Sequence, residues 1–514
     1  MKLPRPPPPA VFTVEQFHGL GDEAGTLGWV RLGCQYLYDG DVPTENGIWL
    51  KQGQHRLDHA DCRKSSIYRI NSFCAIVHRC ATCRLSGKTT LAMPTENNFQ
   101  HDELSRKNPG DRLSTAERMP GVQPQSPAWF DAMARCGTML SEAGVRAMVF
   151  LHGSIQSTDV FGLQRLDEVG GLKRGYSRGV SGLDALLSLM RDGENGIPAL
   201  PHGLTPPFLN DDATRKLLDE RLGDAGNFTE TYVALAEHAL NKHAARPINC
   251  SRLLWASEHH HLGRAAAAVR LLDTLRQLSE SRMFAPGDRV LVQAHGQAGL
   301  VLALASNLLC PSPVTGRPKL LGLLAAYAGQ TGQTDLAAAV VRIEPLIGSA
   351  AWLNGAAVDM VTFGTPVRYG WDPSGIGKVL HVVNHRTLRT DGKTWLAKME
   401  LPQITMEMPI AWGGDYVQEL AVAGSDALPA TDVAKATNKA IWELVEPYDG
   451  FERWLECARR AVRFPTEGRC LLADYKDCTG STNVRDHYYG HAAYTRLNAL
   501  LFNTTEIVRC LYSA

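Results

Sequence analysis

Three stretches of this 514-residue chain gather residue types that could do chemistry. The first is Cys74-x5-Cys80-x2-Cys83, with His59, Cys62 and His78 nearby. Thiolates and imidazoles so spaced could hold zinc, but a closed structural site usually pairs two short-spaced ligand couples. Only Cys80 and Cys83 form one, so packed or solvated thiols are favoured over a metal. The second stretch is Ser257-Glu258-His259-His260-His261. Adjacent residues point in different directions, and the H-E-x-x-H spacing that sets two histidines on one helical face is absent. A turn into a helix is expected there, with one of the histidines lining a cleft; no metal and no cofactor are expected. The third stretch runs from Pro286 to Leu309 and matters for a side chain that it lacks.

In that stretch Arg289 to Gln293 is a short β-branched and apolar run opened by Pro286-Gly287-Asp288, which predicts a buried strand. Leu300 to Leu309 is apolar on nearly every face, as a helix buried beneath a sheet must be. Between them lies Ala294-His295-Gly296-Gln297-Ala298-Gly299, rich in the small residues that a sharp strand-to-helix turn needs. The residue at the apex of that turn is Gly296.

The elements that must position this turn are legible on both sides of it. Trp129 to Ala143 has helical spacing, and Arg146 to Leu151 is a strand running into His152-Gly153-Ser154. Thr229 to Asn241 is amphipathic, Ile248 to Trp255 is the next strand, and Ala265 to Leu278 is a helix with Arg264 at its start. After the turn come the strands Val358 to Phe363, ending in Gly364-Thr365-Pro366, then Val379 to Asn384, then Arg469 to Ala473. A helix is expected over Thr495 to Leu501. Strands alternating with helices predict an α/β fold with a mostly parallel central sheet and helices on both faces.

The turn has the layout of the nucleophile elbow, G-x-S-x-G, of the α/β-hydrolases, and Val358 to Pro366 resembles the strand that follows the nucleophile helix in lipases. Over most of residues 145 to 512 the chain resembles a lipase- or esterase-like α/β-hydrolase, in which an oxyanion strand, elbow, acid and histidine follow in that order. The resemblance implies that Gly296 stands where the serine nucleophile belongs. It implies oxyanion donors at the amides of Ser154 or Ile155 and of Gln297, with His152 and His295 lining the cleft. The acid would be Asp415, in Asp415-Tyr416-Val417, or else Asp426. The base would be His491, which follows a glycine at the mouth of a helix, or else His487. In an intact triad the serine attacks an ester carbonyl, the histidine takes its proton and the acid fixes the imidazole tautomer. Glycine cannot attack, so hydrolysis would need Ser154, Ser157 or an activated water in its place. Two functions follow as expectations: a carboxylic-ester hydrolase, lipid esters included, or an inactive pseudo-hydrolase that binds an acyl-bearing ligand or a protein partner.

Composition bounds the rest. Lys plus Arg and Asp plus Glu balance at 53 each, so nothing marks a nucleic-acid partner or an anionic membrane surface. Twelve scattered cysteines do not describe a disulfide scaffold. The opening MKLPRPPPPAVF has a proline run where a signal peptide needs an apolar core, and the longest apolar run is well short of the ~20 residues of a spanning helix. A cytoplasmic protein is therefore expected, with export by a signal-independent route left open. Residues 1 to 125, which end in an aperiodic polar stretch from Lys88 to Pro127, are expected to form a partly disordered N-terminal segment. Residues 126 to 514 are expected to form the hydrolase-like domain, with lid-type insertions near 156 to 250 and 385 to 450.

Overall fold

A computed structural model of the chain describes short backbone strands within residues 34–118 and, with side chains, most of 122–153, 223–311, 316–349, 351–384, 414–419, 431–445, 464–475 and 490–513. The chain divides into two units, one of residues 1–93 with 172–179 and a larger one of residues 94–171 with 180–514. The first unit carries an antiparallel sheet of β1 (Cys34–Tyr36), β2 (Gly47–Leu50) and β3 (His55–Asp58), and a hairpin of β4 (Ser66–Ile70) and β5 (Phe73–Val77).

The larger unit is α/β. Its sheet is parallel throughout and holds β6 (Leu113–Arg118), β7 (Val145–Leu151), β8 (Asn249–Leu253), β9 (Arg289–His295), β10 (Ala357–Phe363), β11 (Val379–Asn384) and β12 (Arg469–Asp474), in the order β6-β12-β11-β10-β9-β7-β8. Each strand expected from the sequence in this unit is present within one or two residues at its ends. Strand β6 was not expected: it lies inside the stretch from Lys88 to Pro127 that reads as linker. Its sequence, LSTAER, offers no apolar alternation, and pairing with β12 supplies what its own pattern does not.

Both faces of the sheet are covered, and the alternation along each strand explains how. Val290, Val292 and Ala294 of β9 point into one core, with α3 (His261–Arg282), α4 (Ala298–Leu309), α5 (Gly316–Thr331), α6 (Thr334–Ile343) and α8 (Asp432–Val445). Leu291 of the same strand points into the other, with α1 (Pro127–Glu142), α2 (Glu230–Leu240) and α9 (Leu500–Ile507). Helix α1 starts where Ser126 accepts a hydrogen bond from the Trp129 amide and Pro127 takes the first helical position. Helix α3 begins four residues earlier than its spacing predicts, because the His260 side chain caps it by accepting from the Gly263 amide.

The strand order places the elbow. From β7 the chain adds β8 on one side, then returns across β7 to lay down β9, β10, β11 and β12 on the other. Such a reversal opens a crevice at the carboxyl ends of the strands, where α/β folds place their ligands. The turn after β9 is at that crevice.

Candidate active site

The chain leaves β9 at His295 and enters α4 at Ala298, so the turn itself is only Gly296 and Gln297. Gly296 has φ +54, a conformation that costs a side-chain-bearing residue ~1 to 3 kcal/mol and glycine almost nothing. Its backbone is held on both sides by β10: the Gly296 amide donates to the Phe363 carbonyl at 2.8 Å, and the Thr365 hydroxyl donates to the Gly296 carbonyl at 2.8 Å. Thr365 belongs to the Gly-Thr-Pro that ends β10.

Two remote segments converge on this apex. His491 brings its Nε2 to 2.8 Å from the position that a Cβ on Gly296 would occupy. Its Nδ1 is 2.8 Å from Oδ2 of Asp415. Since a carboxylate can only accept, Nδ1 carries the proton, and Nε2 of the neutral ring carries the lone pair. That is the tautomer a general base requires.

Asp415 is fully buried and ordered at every oxygen. Oδ1 accepts from the Gln418 amide at 2.8 Å, which makes the residue the cap of the short helix α7 (Tyr416–Glu419). Oδ2 accepts from His491 and also from the Tyr494 hydroxyl, 2.8 Å away. Burial pushes the carboxyl up, but the electrostatic interaction and hydrogen bond with His491, with the Gln418 amide and the Tyr494 hydroxyl, hold it below the ordinary carboxylate range.

The loop that carries His491 is fixed by its backbone. Gly490 has φ +85, and a Cβ there would lie 1.6 Å from the Gly414 carbonyl oxygen, so only glycine lets the histidine loop pass the acid loop. The Asn384 side chain, at the end of β11, donates to the Gly490 carbonyl at 3.1 Å. His295 donates from Nε2 to the His491 carbonyl at 2.7 Å, and its ring centre is 4.4 Å from that of His491.

The two histidines expected to line the cleft are both buried. His152 accepts at Nε2 from the Trp255 amide, donates from Nδ1 to the Gly153 carbonyl, and offers its own carbonyl to the Trp255 indole. It therefore ties the end of β7 to the end of β8. Burial drives both imidazoles down, each to about 3, so both are neutral. Gln297 is also buried; its side chain donates to the Ser257 carbonyl at 2.7 Å, and its main chain opens α4, where a helix presents its amides outward. Ser257 has φ +46, an unusual conformation for a serine.

Ser154, Ile155, Ser157, Asp426 and His487 lie outside the described residues, as do the side chains of His59, Cys62, Cys74, His78, Cys80 and Cys83. In the histidine run, His260 caps α3, while Nδ1 of His261 lies 2.7 Å from the Tyr369 hydroxyl and its ring stacks on Trp442. Among the described residues no three His, Cys, Asp or Glu side chains are grouped to hold a metal, and no helix is long and apolar enough to cross a membrane.

Sequence reasoning missed four residues of the site: Tyr494, Asn384, Gln418 and Thr365. Only Thr365 had a signal, its place in Gly-Thr-Pro; the other three act through contacts between segments far apart in the chain. What the assembly can do chemically is take and return a proton at His491 Nε2, beside an apex that carries no nucleophile. No protein-family profile, curated protein or solved structure matches the chain.

Proposed function

We propose that this chain is a lipase- or esterase-like α/β-hydrolase protein whose crevice takes a carboxylic ester, lipid esters included. The observation that carries the reading is the delivery of the buried Asp415–His491 pair to the apex of a strand-turn-helix at the carboxyl edge of a parallel sheet. Elbow, acid and histidine follow in the chain order of that superfamily. With a hydroxyl at the apex, attack on the ester carbonyl would pass its proton to His491 Nε2, and the alcohol leaving group would take it back. Without one, removal of a triad serine costs about a million-fold in turnover, and binding with oxyanion stabilisation retains only ~10³ to 10⁴ over water.

A second reading is favoured by one observation. His491 Nε2 stands 2.8 Å from where a Cβ on residue 296 would lie, so the apex as built holds glycine and a serine there would have to displace the ring. In that reading the protein is a pseudo-hydrolase that holds an acyl-bearing ligand or a protein partner.

Labelling with a fluorophosphonate probe, followed by site mapping, separates the two. Hydrolysis of nitrophenyl esters that is lost in His491→Ala supports the enzyme. Binding of a non-hydrolysable ester analogue, with neither labelling nor turnover, supports the pseudo-hydrolase. Absence of both binding and turnover across short, medium and long acyl chains would overturn the proposal as a whole.

A further inference from the structure

The acid of this site has a second partner. Tyr494 is completely buried three residues after His491, and its hydroxyl lies 2.8 Å from Asp415 Oδ2, the same oxygen that receives His491 Nδ1. The hydroxyl also accepts a hydrogen bond from the Asn384 amide at 2.7 Å. Its single proton is therefore committed to the carboxylate, because the amide can only donate.

The ring is as constrained as the hydroxyl. A Cβ on Gly364 would meet Tyr494 Cε2 at 2.6 Å and Asp415 Oδ2 at 2.5 Å, so the end of β10 is cut back to let the two meet. Tyr494 packs edge-on against Tyr475, with ring centres 5.0 Å apart, and lies beside His295 and Phe363. Its own carbonyl accepts from Asn503 of α9.

We infer that Tyr494 is a positioning residue of the acid–base pair: it selects which lone pair of Asp415 faces His491 and draws charge off the shared oxygen, thereby setting the basicity of His491 Nε2. A carboxylate held by two donors on one oxygen cannot rotate without losing both, and the Asn384 amide fixes the hydroxyl to β11 rather than to the mobile end of a side chain. The inference rests on the pair invoked in the proposed function but does not need an ester to be bound. Among the described residues, the charged or titratable groups in contact with His491 include Asp415, His295 and Tyr494 itself.

The test is the titration of the His491 ring in the full chain, followed by NMR with ring-labelled histidine and assigned by His491→Gln. Tyr494→Phe removes the hydroxyl and keeps the ring. The His491 midpoint should rise by up to about one pH unit, since only the part of the lost hydrogen bond that differs between the neutral and protonated ring is read. Tyr475→Phe, whose hydroxyl bonds Asn503 instead, should leave it in place. Incorporation of 3-fluorotyrosine, a stronger donor with the same shape, should move it down, which keeps the test open if the phenylalanine variant folds poorly. A midpoint unmoved by both changes at Tyr494 would overturn the inference. Asp415→Asn distinguishes the failures: if that change also leaves the midpoint unmoved, the acid–base pair itself is absent in solution and the proposed function falls with it.

Discussion

A Cβ on Gly296 would lie 2.8 Å from Nε2 of His491, inside the distance at which carbon and ring nitrogen ordinarily stop. The ring is held there from both ends, by Asp415 at Nδ1 and by His295 at the backbone carbonyl. His491 Nε2 thus stands in part of the space that a side chain at position 296 would need, and such a side chain requires the ring to shift.

Gly296→Ser is therefore expected to create esterase activity at a cost in stability. Serine removal from intact triads loses about a million-fold, so even an imperfect register should gain on the order of a hundred-fold over wild type. The strained turn should cost ~1 to 3 kcal/mol. Nitrophenyl ester hydrolysis and melting curves of wild type, Gly296→Ser and Gly296→Ala measure both effects. A folded serine variant no faster than the alanine variant would mean that ring and apex cannot be brought into register.

Gly490→Ala should uncouple the base from the acid. The added carbon has no room beside the Gly414 carbonyl, and φ is +85, so the two loops must part. A loss of at least ~2 kcal/mol is expected, since steric conflict adds to backbone strain. In the Gly296→Ser background the gained activity should vanish. Chemical denaturation and the same ester assay decide it; retained activity would place the histidine elsewhere.

Acid should destabilise the protein well above the range where carboxylates titrate. His152 and His295 have folded values near 3 against an ordinary value of 6.5, so the unfolded chain binds their protons first. Their contribution is complete above pH 6.5 and is lost as pH falls toward 3, each with a slope of about 1.4 kcal/mol per pH unit. Asp415, also depressed, adds its loss only below the unfolded carboxylate value, as pH falls through its folded value. His295→Gln, which can still donate to the His491 carbonyl, should flatten the melting profile between pH 6.5 and 4. An unchanged profile would show that this ring is not held neutral.

Asp359→Asn should weaken the fold without touching the site. Asp359 is buried near the opposite end of β10, where Arg289 clasps both of its oxygens at 2.6 Å and the Tyr512 hydroxyl adds a third bond. Removing its charge should cost about 3 kcal/mol, the low end for a buried pair because Arg289 keeps some solvent contact. The His491 titration should not move. If it does, the two ends of the sheet are coupled.

How much of this was legible in the sequence follows from the range of each interaction. Most of the strands from β7 to β12 announce themselves as apolar runs buried on two faces; β8, NCSRL, is the exception and is legible from the apolar residues at its ends, Ile248 and Leu253 to Trp255. The elbow is legible because Gly296 and its small neighbours encode a local turn. Asp415 and His491 could be named only as members of an ordered series, and the fact that they meet depends on Gly414 and Gly490 passing within contact. Tyr494 was invisible: a tyrosine three residues beyond a histidine is an ordinary helix-entry residue until the acid, 79 positions earlier, is laid beside it. Strand β6 was hidden for the converse reason, since its partner, and not its own pattern, makes it a strand.

The bond from the His295 ring to the His491 carbonyl joins residues 196 positions apart. On a ribosome adding ~5 to 20 residues per second, the elbow is made roughly ten to forty seconds before its partner exists. Throughout that interval the His295 ring lacks the His491 carbonyl that it bonds in the finished molecule, and the Asp415 carboxylate, once made, has its local Gln418 amide but neither His491 nor Tyr494. An elongating chain arrested short of Gly490 therefore leaves exposed, at His295 and Asp415, polar groups that the completed chain buries and joins through His491 and Tyr494.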